Sequence, residues 1–462
     1  MNAPVAPPSA EGFRPPAPVR RSEAAVLARA LFTRRRDLLA LLPAEAYRVK
    51  MARVPIGKRR IWIVNDPAAI RAVLVDKVDN YPKSDLMVSA LAPLVGDGIF
   101  ISNGPVWRRQ RTMIEPAFAH MRLTGAFPQM VGAVDTLIDE LAAARGPVEI
   151  DAAMSRVTAD VIFRTIFSEA LASDDARGVF DAFQRYQDMV PQVSPKTVLS
   201  TPANAEFDVD PEVERACERI RSVLGHVVDR RLAAGGTHDD LAGAIIAARD
   251  KADGTGFSRD ELIDQVAVFF LAGHETSASV LAWALFILSR APAAAERIRA
   301  EVAEVVGDGP IAYAHIAKLA FTRAVFKETM RLYPPVSFIT RIAREADTLR
   351  DQEIRPNDLV VVSPWIVHRH DKFWEEPELF RPERFLPENE RAIKPDTYLP
   401  FGLGPRVCPG GGFAQTEGVL ILAALMRRFR FDTLAPDKVA PICRMTVRPE
   451  AAIKVRVVDL KA

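Results

Sequence analysis

The sequence Phe401-Gly-Leu-Gly-Pro-Arg-Val-Cys-Pro-Gly410 places one cysteine, Cys408, in a glycine-rich loop two residues after Arg406. Glycines allow tight turns and let a backbone approach a flat ligand closely. Backbone N–H groups, the nearby guanidinium and the positive end of a helix beginning after Gly410 all favour a thiolate here. Without these flanking residues, a buried structural cysteine would be the preferred interpretation. With them, the segment predicts a cysteine held as a thiolate.

The other two cysteines, Cys217 and Cys443, lie far from Cys408 along the chain, and the total of three is odd. This spacing argues against a disulfide framework and a structural zinc site, and it is typical of a reducing compartment. We therefore predict a cytoplasmic protein, in which a cysteine that does chemistry would work alone.

The overall composition is that of a globular protein, with 462 residues of which 49% are hydrophobic and 26% charged. The 61 basic and 59 acidic residues nearly balance, so no nucleic-acid partner is expected. Residues 1–21 are rich in proline and alanine and are expected to form a disordered lead-in. Residues 22–462 are expected to form a single domain.

The segment that follows the lead-in, from Ser22 to Leu42, fits an amphipathic helix that carries three consecutive arginines, Arg34, Arg35 and Arg36. Such a helix can lie on the protein surface in water or make a weak contact with a membrane surface. Both interpretations remain open from the sequence.

A long helix is predicted to begin at Ser258-Arg-Asp-Glu261, which has the capping-box pattern, and to run to about Ser289. Its segment Val266–Leu288 is apolar enough to suggest a membrane span, but His274, Glu275, Thr276 and Ser277 interrupt it. A charge near the centre of a bilayer is costly, so we predict a buried core helix and no membrane span.

Two pairs of residues with helical spacing can act together. Trp107 and Arg111 are four residues apart and can present a ring N–H and a guanidinium to one anion, or form a core tryptophan beside a solvated arginine. Glu328 and Arg331 are three apart on a helix that Pro334 ends; alone they would indicate an ordinary surface ion pair.

The cysteine loop resembles the haem-binding signature of the cytochrome P-450 superfamily, in which Phe, Gly, Arg, Cys and Gly recur at this spacing. The resemblance implies a mainly α fold with a small β-rich part (α+β), a triangular helix-rich domain that encloses haem b. It also implies that Cys408 is the axial ligand of the haem iron and that Phe401 and Gly402 belong to the cofactor-binding loop.

Further motifs occur in the order expected for this superfamily. Trp107, Arg111, Arg341 and Arg406 would bind the haem propionates, a task that suits the permanent charge of arginine. Thr276 and Glu275 resemble the oxygen-activating motif, in which the helix loosens over the haem, the threonine assists O2 activation and the acid relays protons. Glu328, Arg331 and Arg384 resemble a buried structural network near the haem. The residues expected to line the substrate pocket are Phe100, Phe270, Val336 and Phe338.

The resemblance implies a monooxygenase, active as a monomer, that inserts one oxygen atom from O2 into a lipophilic substrate. Gly96-Asp-Gly-Ile-Phe100 looks like a segment of bacterial fatty-acid hydroxylases, so a fatty acid, a terpenoid or a carotenoid-like compound is expected. No segment of this sequence resembles a flavin or ferredoxin module, so electrons are expected from a separate ferredoxin or similar donor.

Two other functions remain open. A peroxide-using or isomerising haem-thiolate enzyme would not need the Glu275–Thr276 pair. A non-catalytic haem sensor would need neither that pair nor the apolar pocket segments.

Overall fold

The computed structural model describes residues 12–26, 37–54, 59–120, 123–170, 174–189, 210–235 and 240–461. Helices dominate, and four small sheets lie mostly in the first and last parts of the chain. The predicted class, mainly α with a small β-rich part, is therefore confirmed.

The α-helices of the described residues have the following bounds: α1 Pro67–Arg71, α2 Asp85–Val95, α3 Gly104–His120, α4 Leu123–Ala143, α5 Ile150–Phe167, α6 Asp174–Met189, α7 Pro211–Ala234, α8 Leu241–Ala247, α9 Arg259–Arg290, α10 Pro292–Val306, α11 Tyr313–Ile316, α12 Ala320–Leu332, α13 Pro364–Val367, α14 Pro387–Glu390 and α15 Gly411–Arg428. The strands are β1 Met51–Val54, β2 Ile61–Val64, β3 Val148–Glu149, β4 Ile339–Ile342, β5 Asp347–Leu349, β6 Gln352–Ile354, β7 Leu359–Val362, β8 Phe429–Thr433, β9 Pro441–Cys443, β10 Val447–Pro449 and β11 Lys454–Asp459.

The central element is α9, which is buried along most of its 32 residues and packs against α5. It begins as predicted: the Ser258 hydroxyl accepts the backbone N–H of Glu261, and the Glu261 carboxylate accepts the backbone N–H of Ser258 at 2.7 Å. Among the described helices, α9 alone is long and apolar enough to cross a membrane, and most of its apolar stretch is buried inside the protein.

The helix α9 does not loosen at Gly273, in contrast to the expectation, because its helical backbone continues through residues 272–277. A Cβ atom at Gly273 would lie 2.4 Å from Cδ1 of Ile162, so the glycine lets α5 pack directly against α9. The packing gained by this close approach compensates for the low helix propensity of glycine.

The largest sheet has the order β1-β2-β7-β4 and brings distant parts of the chain together. The strand β2 pairs in parallel with β7, and β4 pairs antiparallel with β7. The residues of β2 are all buried, as its run of aromatic and β-branched side chains predicts. This sheet places Arg341, on β4, next to the segment that precedes α2.

The N-terminal segment differs from the prediction that residues 1–21 form a disordered lead-in. Residues 1–11 lie outside the described part of the chain, but residues 12–21 pack on the domain. Phe13 contacts Phe286, and Arg20 binds Glu378 at 2.6 Å and stacks over Tyr47. Composition alone missed this contact because the partners of Phe13 and Arg20 come from remote parts of the chain.

The predicted amphipathic helix is only partly described. Residues 23–26 are helical and Leu39–Leu41 form a 3-10 turn, whereas Arg34, Arg35 and Arg36 lie outside the described residues.

Candidate functional site

The cysteine loop turns back on itself between β7 and α15. The backbone N–H of Cys408 donates to the carbonyl of Phe401 at 2.9 Å, and the Phe401 ring packs against Gly411, the first residue of α15. Gly404 has a φ of +75°, and a Cβ there would lie 2.2 Å from the carbonyl oxygen of Leu74. Only glycine fits this position, so the loop shape depends on it.

The side chain of Cys408 is exposed on the loop, yet the surrounding protein removes much of its water. This desolvation raises the pKa of the thiol, whereas a hydrogen bond from the backbone of Gly410 and the charge of Arg111 lower it. A metal ion bound to the sulfur would therefore stabilise the thiolate far more than the protein alone does.

The residues predicted to bind propionates from α3 lie beside this loop. The Arg111 guanidinium donates to the carbonyl of Val407 at 2.8 Å, which ties α3 to the residue before the cysteine. The Arg406 guanidinium lies over the Trp107 ring, 4.6 Å from its centroid, and donates to Asn103 Oδ1 at 2.9 Å.

Arg341 and Lys83 complete a cluster of four positive charges, here called the cation cluster, whose members are Lys83, Arg111, Arg341 and Arg406. Backbone pairing places Lys83 opposite Arg341, and the Lys83 ammonium donates to the carbonyls of Ile99 at 2.6 Å and Ser102 at 3.1 Å. Both Lys83 and Arg341 are buried.

Burial and neighbouring positive charges lower the pKa values of two members of the cation cluster. Burial, and then the charges of Arg406, Arg341 and Arg111, lower the pKa of Lys83 to about 6. Burial and Arg406 lower the pKa of Arg341 to about 9. The Nε atoms of Arg341 and Arg406 are buried and have no hydrogen-bond partner among the described residues.

Buried like charges are costly unless an anion accompanies them. A ligand with two carboxylates beside a metal that takes a thiolate would satisfy both the cation cluster and Cys408. The donor set therefore fits haem, with its two propionates and its iron.

Sequence reasoning missed Lys83. Its local sequence, Pro82-Lys-Ser-Asp85, resembles the solvated start of a helix, and Ser84 does cap α2. Only the pairing with Arg341, more than 250 residues away along the chain, turns this lysine inward.

The polar residues of α9 point in different directions. The Thr276 hydroxyl donates to the carbonyl of Ala272 at 2.6 Å, and Glu275 Oε1 accepts a hydrogen bond from the Thr446 hydroxyl at 2.7 Å. Consecutive helical residues are about 100° apart, so the acid lies beside the threonine and faces the C-terminal hairpin.

Glu328, Arg331 and Arg384 lie together in the structure. Arg331 makes a two-point ion pair with Glu328 at 2.7 and 2.8 Å, and both side chains are fully buried. Arg384 lies 3.6 Å from the same carboxylate. Arg331 also donates to three backbone carbonyls, those of His368, Pro377 and Leu379.

Phe270 does not lie where a pocket residue was expected. Its ring is 1% exposed and packs against Phe163 of α5 and Phe183 of α6, with the His274 ring stacked on it at 4.8 Å. Thr276 lies six positions after Phe270, which places the two about 120° apart around the helix. Phe270 is therefore part of a helix interface. The continuous apolar sequence around it does not show on which face of α9 it lies.

The other predicted pocket residues are more accessible. The segment that carries Phe100 is fixed on α9, because Asp97 N–H donates to Asp264 and Ile99 N–H donates to Gln265, both at 3.0 Å. Phe100 is half-buried, as is Phe338, and Val336 is 37% exposed.

Known proteins resemble this chain over most of its length. The model of the family described as cytochrome P-450 matches residues 43–457. Cyclooctatin synthase of Streptomyces melanosporofaciens is 31% identical, with 89% of this chain and 88% of that protein covered. Cyclooctat-9-en-7-ol 5-monooxygenase of the same organism is 29% identical, with 87% and 86% covered. The crystal structure of the haem domain of cytochrome P-450DA is similar, with a TM-score of 0.79 and 26% identity over 89% of this chain and 90% of that one.

Proposed function

Because this chain belongs to the cytochrome P-450 family, and is thus an oxidoreductase of the monooxygenase type, we propose that it hydroxylates a lipophilic terpenoid with O2, using electrons from a separate ferredoxin-type protein. The observation that carries this proposal is the position of Cys408 next to the cation cluster, with Glu275 and Thr276 on the adjoining helix α9. Bound haem b would supply the redox chemistry that splits O2.

Residues from several elements of this chain would hold the cofactor. Cys408 would bind the iron as a thiolate, and Arg341 and Arg406 would offer to the propionates their guanidinium Nε atoms, which have no hydrogen-bond partner among the described residues. Arg111 fixes the loop through the carbonyl of Val407, so that the sulfur keeps its place relative to the cations.

The protein also supplies and directs protons. The Thr276 hydroxyl donates to the carbonyl of Ala272, and by rotating it could instead donate a hydrogen bond into the neighbouring site. Glu275, the next residue, can carry protons to this region, because a carboxyl group both accepts and donates them. A peroxide-using or isomerising enzyme and a haem sensor have no use for this pair, which favours the monooxygenase.

Two observations support a terpenoid substrate. The accessible residues proposed for the pocket, Phe100, Val336 and Phe338, carry only apolar side chains. One relative is named cyclooctat-9-en-7-ol 5-monooxygenase, a name that describes oxidation of a cyclic alcohol.

A ferredoxin-type donor and a cytoplasmic location are part of the same proposal. No group of three His, Cys, Asp or Glu side chains in the described part of the chain could hold a metal cluster for electron transfer. All three cysteines are free, which suits a reducing compartment.

The experiment that tests the proposed function is reconstitution of the haem-loaded protein with a surrogate ferredoxin and its reductase under ¹⁸O2. Candidate substrates are cyclic terpenoid alcohols and, for comparison, medium-chain fatty acids. We expect one labelled oxygen atom in the terpenoid product, and no product without reductant. Equal rates with peroxide alone, unlabelled isomerised product, or no product with any compound would contradict a monooxygenase, and each outcome indicates a different one of the alternatives.

Replacing Phe100 with alanine is expected to change the site of hydroxylation. The hydrogen bonds of Asp97 and Ile99 to α9 fix the loop, so the substitution removes the ring without moving the backbone. Haem content should stay the same, and the ratio of product isomers should change several-fold, since apolar contacts discriminate by about 1–3 kcal/mol. Product isomers are measured by gas chromatography.

A matched control is Phe373→Ala, which removes a half-buried ring that stacks on His370 in another part of the protein. If both variants give the parent ratio of isomers, Phe100 does not contact the substrate.

A further inference from the structure

We propose that Thr446, in the C-terminal hairpin formed by β9 and β10, is a positioning residue for Glu275 and thereby controls proton delivery during turnover. This inference rests on the proposed function, because it gives Glu275 a role in moving protons. The hydrogen bond from the Thr446 hydroxyl to Glu275 Oε1 is 2.7 Å long, and Thr446 is only 4% exposed.

The backbone next to Thr446 is fixed on the helix that carries Glu275. The carbonyl of Val447 accepts hydrogen bonds from two α9 side chains, Ser279 and Trp283. The N–H of Val447 donates to the carbonyl of Pro335 at 3.2 Å. Because these bonds hold residue 447 in place, the position of the Thr446 hydroxyl relative to α9 is set by the backbone and not by a flexible side chain.

A fixed donor matters for a glutamate because its side chain has three rotatable bonds and can take many rotamers. A hydrogen bond that involves a charged group is stronger than a neutral one, and a buried geometry protects it from water. Thr446 therefore selects one orientation of Glu275 beside Thr276. Small errors in the position of a catalytic group lower the rate strongly, so loss of this orientation should slow proton delivery.

The surroundings of Glu275 contain other groups that could exchange a proton with it only at high pH. The phenol of Tyr186 on α6 has a raised pKa, mainly through burial, then through Cys217 and Glu275. The thiol of Cys443 on β9 has a raised pKa through burial, then through Asp37 and Glu275. Both stay protonated near neutral pH, and the hydroxyl of Thr446, which does not titrate there, orients Glu275 without exchanging a proton with it.

The central experiment compares Thr446→Val, which keeps the shape and removes the hydroxyl, with Thr446→Ser, which keeps the hydroxyl. Each haem-loaded variant is assayed with the surrogate ferredoxin for kcat, KM, product formed per reductant consumed, and peroxide released. We expect Thr446→Val to lower kcat about tenfold and to release more peroxide, with KM nearly unchanged, because proton delivery is impaired and binding is not. Thr446→Ser should restore most of both values.

The matched control is Thr322→Val on α12, where a buried threonine hydroxyl also donates to a glutamate, Glu301, at 2.7 Å. This variant loses the same kind of bond at a different glutamate, Glu301, so kcat and product per reductant should match the parent protein. Should Thr446→Val fold poorly, Thr446→Ala removes the same hydroxyl with a smaller side chain.

Glu275→Gln separates failure of this inference from failure of the proposed function. If Glu275→Gln is impaired and Thr446→Val adds nothing further in the double variant, the two residues act as one unit, as proposed. If Glu275→Gln is impaired but Thr446→Val behaves as the parent protein, or if Thr446→Ser is as impaired as Thr446→Val, the positioning role is wrong. If Glu275→Gln turns over and couples normally, the proton-carrying role of Glu275 in the proposed function is wrong as well.

Discussion

The Cys408→Ala variant should lose the red-shifted Soret band that a thiolate-bound haem gives with carbon monoxide after reduction, and it should lose monooxygenase activity altogether. The thiolate sulfur is the proposed iron ligand, and an alanine side chain offers no donor atom. The cation cluster remains in this variant, so some haem should still bind through its propionates. Difference spectra of the purified variant measure the band, and the pyridine haemochrome assay measures the haem.

The controls for this prediction are Cys217→Ala and Cys443→Ala. Both cysteines are buried, and burial is the main cause of the raised pKa of each thiol. Neither lies in the cysteine loop, so the red-shifted band should persist in both variants. A red-shifted band in Cys408→Ala, or a histidine-type band in the folded parent protein, would show that Cys408 is not the ligand.

The Arg331→Met variant should be destabilised by about 3–5 kcal/mol, the usual result of breaking a buried ion pair from one side. The substitution leaves the fully buried carboxylate of Glu328 without its closest charge partner, and the carbonyls of His368, Pro377 and Leu379 lose their donor. The 3.6 Å contact of Arg384 with Glu328 is too long to replace the two-point pair. Urea unfolding of the haem-loaded protein, followed by circular dichroism, measures the change.

The control is Arg355→Met, which breaks an exposed pair with Glu353 in which both side chains are more than half accessible. Exposed pairs contribute about 0–1 kcal/mol, so this variant should unfold close to the parent protein. An equal, small effect in both variants would mean that the Glu328–Arg331 pair carries little of the stability.

Local patterns predicted the features that depend on neighbouring residues. The capping box at Ser258 placed the start of α9, and the i, i+3 spacing placed Glu328 and Arg331 on one face of α12. The cysteine loop was recognisable because its glycines, Arg406 and Cys408 all lie in the short segment Phe401–Gly410. In each case the interaction spans one or two helical turns or a single loop, so one short segment of the sequence contains all the residues that take part.

Features that depend on remote packing could not be predicted. The inward turn of Lys83 depends on Arg341, and the orientation of Glu275 depends on Thr446, 171 residues further along the chain. Gly273 was interpreted as a point of loosening, whereas close packing of Ile162 explains it. Phe270 was placed in the pocket because an apolar run does not show which face of a buried helix points to a ligand.

With haem as its ligand, the cation cluster would make cofactor uptake part of the folding reaction. In the haem-free chain, folding would bury Lys83 beside three guanidiniums, and burial, followed by these charges, lowers the pKa of Lys83 to about 6 from 10.5. The unfolded chain then binds more protons than the folded one between these values, so this penalty is complete below about pH 6 and fades as the pH rises towards 10.5. The two propionates would supply the missing counter-charge, and the cofactor would act as an electrostatic template around which α2, α3 and β4 assemble.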